Sequence, residues 1–95
     1  MQLQAARQMA QLAAWRYDND LPCGEEANTA KYLAAEACFF AADRAIQTHG
    51  GFGFAEEYDV ERKFRETRLY QVAPISTNLI LSYLAEHVLG LPRSY

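Results

Sequence analysis

The sequence predicts an all-α fold, an up-and-down helical bundle, and three observations carry that expectation. Apolar residues recur at i, i+3, i+4 and i+7 in stretch after stretch of the chain. No segment alternates polar and apolar residues with the period of two that a half-buried strand needs. Glycine and proline fall between the periodic stretches, at Pro22-Cys23-Gly24, Gly50-Gly51 and Ala73-Pro74, where they end helices.

From Met1 to about Tyr17, residues Leu3, Ala6, Met9, Ala10, Ala13 and Tyr17 form one stripe, with Gln2, Gln4, Arg7, Gln8 and Gln11 largely off it. This helix opens at full amplitude with no capping Ser, Thr, Asp or Asn, so the natural helix is expected to begin upstream of Met1. Asp18 to Gly24 then supplies polar turn formers, a proline and a glycine, which make a tight connection. The second helix runs from about Glu25 to Thr48 or His49, with Glu25 and Glu26 at its positive end and Gly50-Gly51 at its close. Ala30, Ala34, Ala37, Ala41 and Ala45 form a small-residue stripe that permits close helix approach, while Leu33, Phe40 and Ile46 offer bulk on adjoining positions. Burial on more than one side is expected.

Gly50-Gly51-Phe52-Gly53-Phe54 has too many glycines for a helix interior and reads as a loop whose backbone can approach another surface closely. A shorter helix spans about Val60 to Leu69, with Val60, Phe64 and Leu69 inward. Its Glu61, Arg62, Lys63, Arg65, Glu66 and Arg68 point outward or into ion pairs. Ala73-Pro74 breaks it. The last helix runs from about Ser76 to Leu89, with Leu79, Ile80, Tyr83, Leu84 and Val88 on one face and Gly90 and Pro92 as its stop. Arg93-Ser94-Tyr95 reads as a polar natural C-terminus.

A chain of 95 residues with 51% hydrophobic and 22% charged residues has the composition of one small globular domain, residues 1–95. A helical array this short is marginal alone, so an oligomer or a larger parent protein is expected. Nine Lys and Arg against twelve Asp and Glu, a net charge of -3, leave no electrostatic footprint for a phosphate backbone, so nucleic acid is not an expected partner. Every apolar stretch is interrupted well short of the roughly 20 residues a bilayer span requires, and the start lacks the form of a signal peptide. Cys23 and Cys38 show no CxxC or Cys/His spacing and are read as reduced thiols of a cytoplasmic protein, with no metal site.

One stretch rises above this generic helical pattern: Gln47-Thr48-His49-Gly50-Gly51-Phe52-Gly53-Phe54, followed by Tyr58-Asp59-Val60-Glu61-Arg62-Lys63-Phe64-Arg65-Glu66. It resembles the C-terminal helical domain of the flavin-dependent acyl-CoA dehydrogenases, whose pattern is Q-x-x-G-G-x-G-[YF], acidic residues, P-V-E-R-x-x-R-D and a final helix. The resemblance covers nearly the whole chain. It implies a helical arrangement at the core of a homodimer or homotetramer, with the Q-x-x-G-G turn lying against FAD bound mainly by a neighbouring subunit. On that reading Gln47, Thr48, His49, Gly50 and Gly51 are cofactor-binding candidates. The glycines would act through close backbone approach and Gln47 through both groups of its amide. The alternative at the same residues is a plain helix end and turn, with His49 a C-terminal dipole partner. The bases Arg62, Lys63, Arg65 and Arg68 are interleaved with Glu61 and Glu66 and read as a salt-bridged face rather than a coenzyme A phosphate site. The resemblance reads the Arg65-Glu66 pair as tying its helix to neighbouring helices.

The chain departs from the family in Gln71-Val72-Ala73-Pro74-Ile75-Ser76-Thr77-Asn78, where many members read Q-I-Y-E-G-T-x-[EQ]. Pro74 stands at the position of the usual catalytic base and has no carboxylate, and Ile75 replaces the glycine. The resemblance therefore implies a base upstream of Met1. Ser76 and Asn78 match positions near the flavin, and equally suit capping of the last helix. The whole protein is expected to oxidise an acyl-CoA to the 2-enoyl thioester and pass electrons to an electron-transferring flavoprotein, the chain alone being inactive. A related flavin oxidase or monooxygenase, or a helical interaction module without catalysis, are the alternatives.

Overall fold

The computed structural model describes residues 1–93, so Ser94 and Tyr95, assigned above to a polar end, lie outside the described residues. The helices are α1 (Gln2–Asp18), α2 (Gly24–His49), α3 (Val60–Leu69) and α4 (Thr77–His87), and there is no strand among the described residues. None of the helices is long and apolar enough to cross a membrane. Gly50–Phe54 and Glu56–Tyr58 form two 3-10 turns between α2 and α3. The glycine-rich stretch is thus wound rather than an open loop, because the tighter i to i+3 turn suits short pieces.

α2 is the hub on which α1, α3 and α4 all pack. Arg16 fixes the α1–α2 corner, with its Nε 2.6 Å from the Pro22 carbonyl and 3.2 Å from Glu26 Oε1. On the far side, Phe64 brings its ring to 5.2 Å from that of Phe39, and the Arg68 guanidinium lies 5.9 Å from the centre of the same Phe39 ring. Gly24 admits α4: a Cβ there would stand 2.5 Å from the Tyr83 hydroxyl.

The buried faces differ in detail from those the periodicity predicts. On α2 the buried alanines are Ala35, Ala37 and Ala42, whereas Ala34 and Ala41 are exposed and line shallow surface grooves. A helix with three neighbours buries several narrow strips rather than one stripe. On α3 the inward set is Val60, Phe64 and the buried Thr67, at i, i+4 and i+7. Leu69 falls off this face and is 56% exposed. On α4 the core residue is Ile80, 1% exposed, while Leu79 and Val88 face outward.

The fully buried apolar residues described, Ala6, Ala35, Ala37, Ala42 and Ile80, make a thin core. The radius of gyration is 16.0 Å, against about 12 Å for a compact domain of this length. The accessible surface is 6994 Å², against about 5,500 Å² for a compact monomer of the same mass. Leu3, Trp15, Tyr17, Phe52, Phe54 and Leu89 are among the large apolar side chains left exposed. This leaves more large apolar side chains at the surface than a compact monomer of this size exposes.

Candidate functional site

Two recesses border the residues that the sequence singles out. The larger, of about 630 Å³, opens between the end of α2 and the start of α3 and is lined by Asp43, Ile46, Gln47, Gly50, Phe54, Glu61, Phe64 and Arg65. α2 ends here because Gly50 takes φ 60° and ψ -136°, a conformation that side-chain-bearing residues rarely adopt.

The glycines of this turn are glycines for different reasons. Gly53 is held by packing, since a Cβ would come within 2.9 Å of the Ile46 carbonyl oxygen. Gly50 is held by its positive φ. Gly51 has neither constraint: its φ is not positive and a Cβ on it would meet nothing within 4 Å. The chain's own packing gives no reason for a bare backbone at position 51.

The polar candidates also divide. Gln47 is exposed, and its side-chain amide has no hydrogen-bond partner among the described residues. Thr48 Oγ1 donates to the Arg44 carbonyl at 2.8 Å, and His49 Nδ1 lies 2.9 Å from the Ala45 carbonyl, so both are engaged with the last turn of α2. The His49 ring stands edge-on to Tyr58 with centroids 6.0 Å apart, and Tyr58 leans on Phe52 at 5.6 Å.

The smaller recess, of about 230 Å³, is polar and lined by Glu36, Arg68, Gln71, Val72, Ser76, Thr77 and Asn78. Glu36 and Asp43 are about 10 Å apart along α2 at 1.5 Å per residue. The structure therefore groups Gln47 and Gly50 at one recess, with Gly51 beside them in the turn, and Ser76 and Asn78 at another. Ser76 is the N-cap of α4: its Oγ accepts from the Leu79 N–H at 3.2 Å, which leaves the hydroxyl proton to donate elsewhere. Asn78 is exposed. Pro74 and Ile75 are exposed on the connector, where residues 71–76 carry no ionisable side chain.

α3 is the salt-bridged face expected. Arg62 pairs with Asp59 at 3.1 Å and Glu66 at 3.2 Å, Lys63 with Glu66 at 3.3 Å, and Arg65 with Glu61 at 2.8 Å. Hydrogen bonding from Arg62 holds the Asp59 carboxyl below its ordinary value, and hydrogen bonding from Arg65 does the same to Glu61. Arg65 and Glu66 are both spent within α3, so within the described chain they do not tie it to its neighbours. Asp59 itself stands where the family pattern carries proline, and its φ of 58° is one a proline ring cannot adopt.

Sequence reasoning missed the pairing of Glu36 with Gln71, whose Nε2 donates to Glu36 Oε1 at 2.8 Å across 35 positions of chain. The available signal was a lone carboxylate among Ala34, Ala35 and Ala37.

The family model described as the acyl-CoA dehydrogenase C-terminal domain matches residues 1–89. The chain belongs to the acyl-CoA dehydrogenase family. It is 44% identical, over 97 aligned residues, to an acyl-CoA dehydrogenase of Mycobacterium tuberculosis, covering 100% of this chain and 25% of that protein. It is 34% identical over 89 residues to the (2S)-methylsuccinyl-CoA dehydrogenase of Cereibacter sphaeroides, covering 94% of this chain and 16% of the other. It is 39% identical over 70 residues to the caffeyl-CoA reductase-Etf complex subunit CarC of Acetobacterium woodii, covering 74% and 18%. The chain thus spans a quarter or less of these relatives. As the C-terminal domain of this family, it presents one recess at the turn after α2 and a second, polar one at the start of α4.

Proposed function

We propose that this chain is the flavin-contacting and oligomerising domain of a longer acyl-CoA dehydrogenase that removes hydrogen from the α and β carbons of an acyl-CoA thioester. The observation that carries the cofactor reading is Gly51, a residue whose missing side chain serves nothing within the chain and suits the close approach of a ligand from outside. FAD fits this edge: the free Gln47 amide offers both a donor and an acceptor, and Gly50 and Gly51 offer bare backbone. Thr48 and His49 would shape the turn through α2 rather than reach the cofactor. Ser76 keeps a donor free while capping α4, and Asn78 stands exposed beside it, so both suit contact near the flavin.

When bound, the flavin would accept the hydride that leaves the β-carbon. The α-proton needs a base, and residues 71–76 cannot supply one, so the reading places that carboxylate elsewhere in the full-length protein. The excess apolar surface suits a homodimer or homotetramer. The Etf complex in the name of the Acetobacterium woodii relative supports an electron-transferring flavoprotein as redox partner. Free thiols at Cys23 and Cys38 suit the cytoplasm.

The test is the visible spectrum of the full-length protein before and after anaerobic addition of a panel of acyl-CoAs. Bleaching of a bound flavin band with formation of the enoyl thioester is expected. A flavin that yields hydrogen peroxide or a hydroxylated product, and no enoyl thioester, would replace the dehydrogenase with an oxidase or monooxygenase. A protein without flavin would reduce this domain to an interaction module.

A further inference from the structure

Two side chains of α2 hold the connector between α3 and α4. Lys31 Nζ donates to the Tyr70 carbonyl, and Glu36 Oε1 accepts from Gln71 Nε2 at 2.8 Å. Gln71 continues the chain of contacts, its main-chain carbonyl accepting from the N–H of Thr77, the first residue of α4, at 3.0 Å. Two hydrogen bonds in series therefore link the middle of α2 to the turn that carries Ser76 and Asn78. Arg68 borders the same recess, but its guanidinium lies over the Phe39 ring. Glu36 is thus committed to Gln71. A half-buried carboxylate accepting from an amide makes a charge-assisted bond, stronger and shorter than its neutral counterpart.

Resting on the function proposed above, we infer that Glu36 is a positioning residue of the ligand site, which acts through Gln71 to set where Ser76 and Asn78 stand. The carboxylate is linked to its own α4 neighbours through Gln71 and not through the ligand. The effect on turnover comes from placement, since shifting an orienting group by about 1 Å costs on the order of 100-fold. It is a different assignment from a base at this recess, because the pair orders a helix start and moves no proton.

The experiment uses the full-length protein in wild-type form and as E36A, E36Q, Q71E and the swap E36Q/Q71E. It reads bound flavin, kcat/KM with an acyl-CoA that bleaches the wild-type flavin, and amide exchange at residues 76–80. E36A and Q71E should lower kcat/KM about tenfold and speed exchange at the start of α4 while flavin content is retained. E36Q, whose amide oxygen still accepts, should stay within about threefold of wild type. The swap, which restores one donor and one acceptor in reversed order, should recover both readouts. E36A that matches wild type in both would overturn the inference. So would a swap that restores exchange but leaves kcat/KM low, since the pair would then be structural only. If E36A fails to fold, Q71E against the swap makes the same comparison. If no acyl-CoA bleaches the wild-type flavin, the proposed function falls, and exchange in E36A alone decides whether Glu36 holds α4.

Discussion

Gly53 lies flat against the backbone of Ile46. A methyl group on it would stand 2.9 Å from the Ile46 carbonyl oxygen, 3.1 Å from Cα and 3.2 Å from Cγ2. Two of these atoms are backbone near the end of α2, so relief would require moving the helix or the turn. Gly53→Ala should destabilise the intact protein by about 1 to 3 kcal/mol. Gly51→Ala, two residues earlier and with open space around its Cβ, should change stability by no more than about 0.5 kcal/mol. On the proposed cofactor contact at Gly51, the reverse order is expected for flavin retention, with Gly51→Ala the leakier protein per unit of stability lost. Thermal melting and gel filtration of the flavin-bound protein check both, and equal losses from the two substitutions would refute the distinction.

The cap at Ser76 gives a second measurable contribution. Its backbone is extended, with ψ 149°, and its Oγ accepts the Leu79 N–H at 3.2 Å at the start of an 11-residue helix. Ser76→Ala should cost about 1 kcal/mol, and Ser76→Thr should recover most of it. Denaturant unfolding gives the first figure, and faster exchange of the Leu79 amide in Ser76→Ala should accompany it. A Leu79 amide unchanged in the alanine variant would mean the cap contributes nothing in solution.

At the other end of α2, Arg16 accounts for the corner with α1. Its Nε lies 2.6 Å from the Pro22 carbonyl and 3.2 Å from Glu26 Oε1, and the Glu26 side chain is 12% exposed. Arg16→Ala should cost about 1 to 2 kcal/mol, because it strips partners from a largely buried carboxylate and a carbonyl together. Arg16→Lys should recover only part, since both contacts are made by Nε and lysine places a methylene at that position along the side chain. A lysine variant as stable as wild type by denaturant midpoint would count against the shared contact.

These contacts also mark how far the sequence could be read. Helix limits were legible because each is punctuated: Glu25 and Glu26 at the positive end of α2, Gly50 at its close, Pro74 in the connector and Ser76 at the cap. Which face each helix buries was less legible. Periodicity gave α2 one alanine stripe, but three packing neighbours kept only Ala37 of it fully buried and added Ala35 and Ala42. On α3 the inner face continues from Val60 and Phe64 to Thr67, whose hydroxyl donates to the Phe64 carbonyl at 3.0 Å, while helix register turns Leu69 to the opposite side. Gln47, Gly50 and Gly51 stood out as cofactor candidates through the family motif, and only coordinates separate a glycine required by packing from one that is not. Glu36 stood out only as a lone carboxylate among alanines, and its partner Gln71, 35 positions away, could not be read locally because packing brings the two together.

The charges of α3 predict its response to acid. Hydrogen bonding from Arg62 holds the Asp59 carboxyl below its ordinary value, and hydrogen bonding from Arg65 does the same for Glu61. A carboxylate depressed on folding contributes stability in full above its unfolded value, and that contribution is lost as pH falls through the lower, folded value. Arg62 and Arg65 are raised by the same pairs and stay charged throughout, so they add nothing to the pH dependence in this window. Acid below about pH 4.5 should therefore loosen α3, and high salt should weaken the effect because the pairs are solvent-facing. Carboxyl carbon shifts followed through a pH titration of the intact protein should place both groups below their unfolded values. Asp59→Asn isolates the charge, since asparagine tolerates the left-handed φ of 58° that this position requires while forming no ion pair. It should flatten the acid response at the start of α3, and a response identical to wild type would show that the Asp59 to Arg62 pair is not its source.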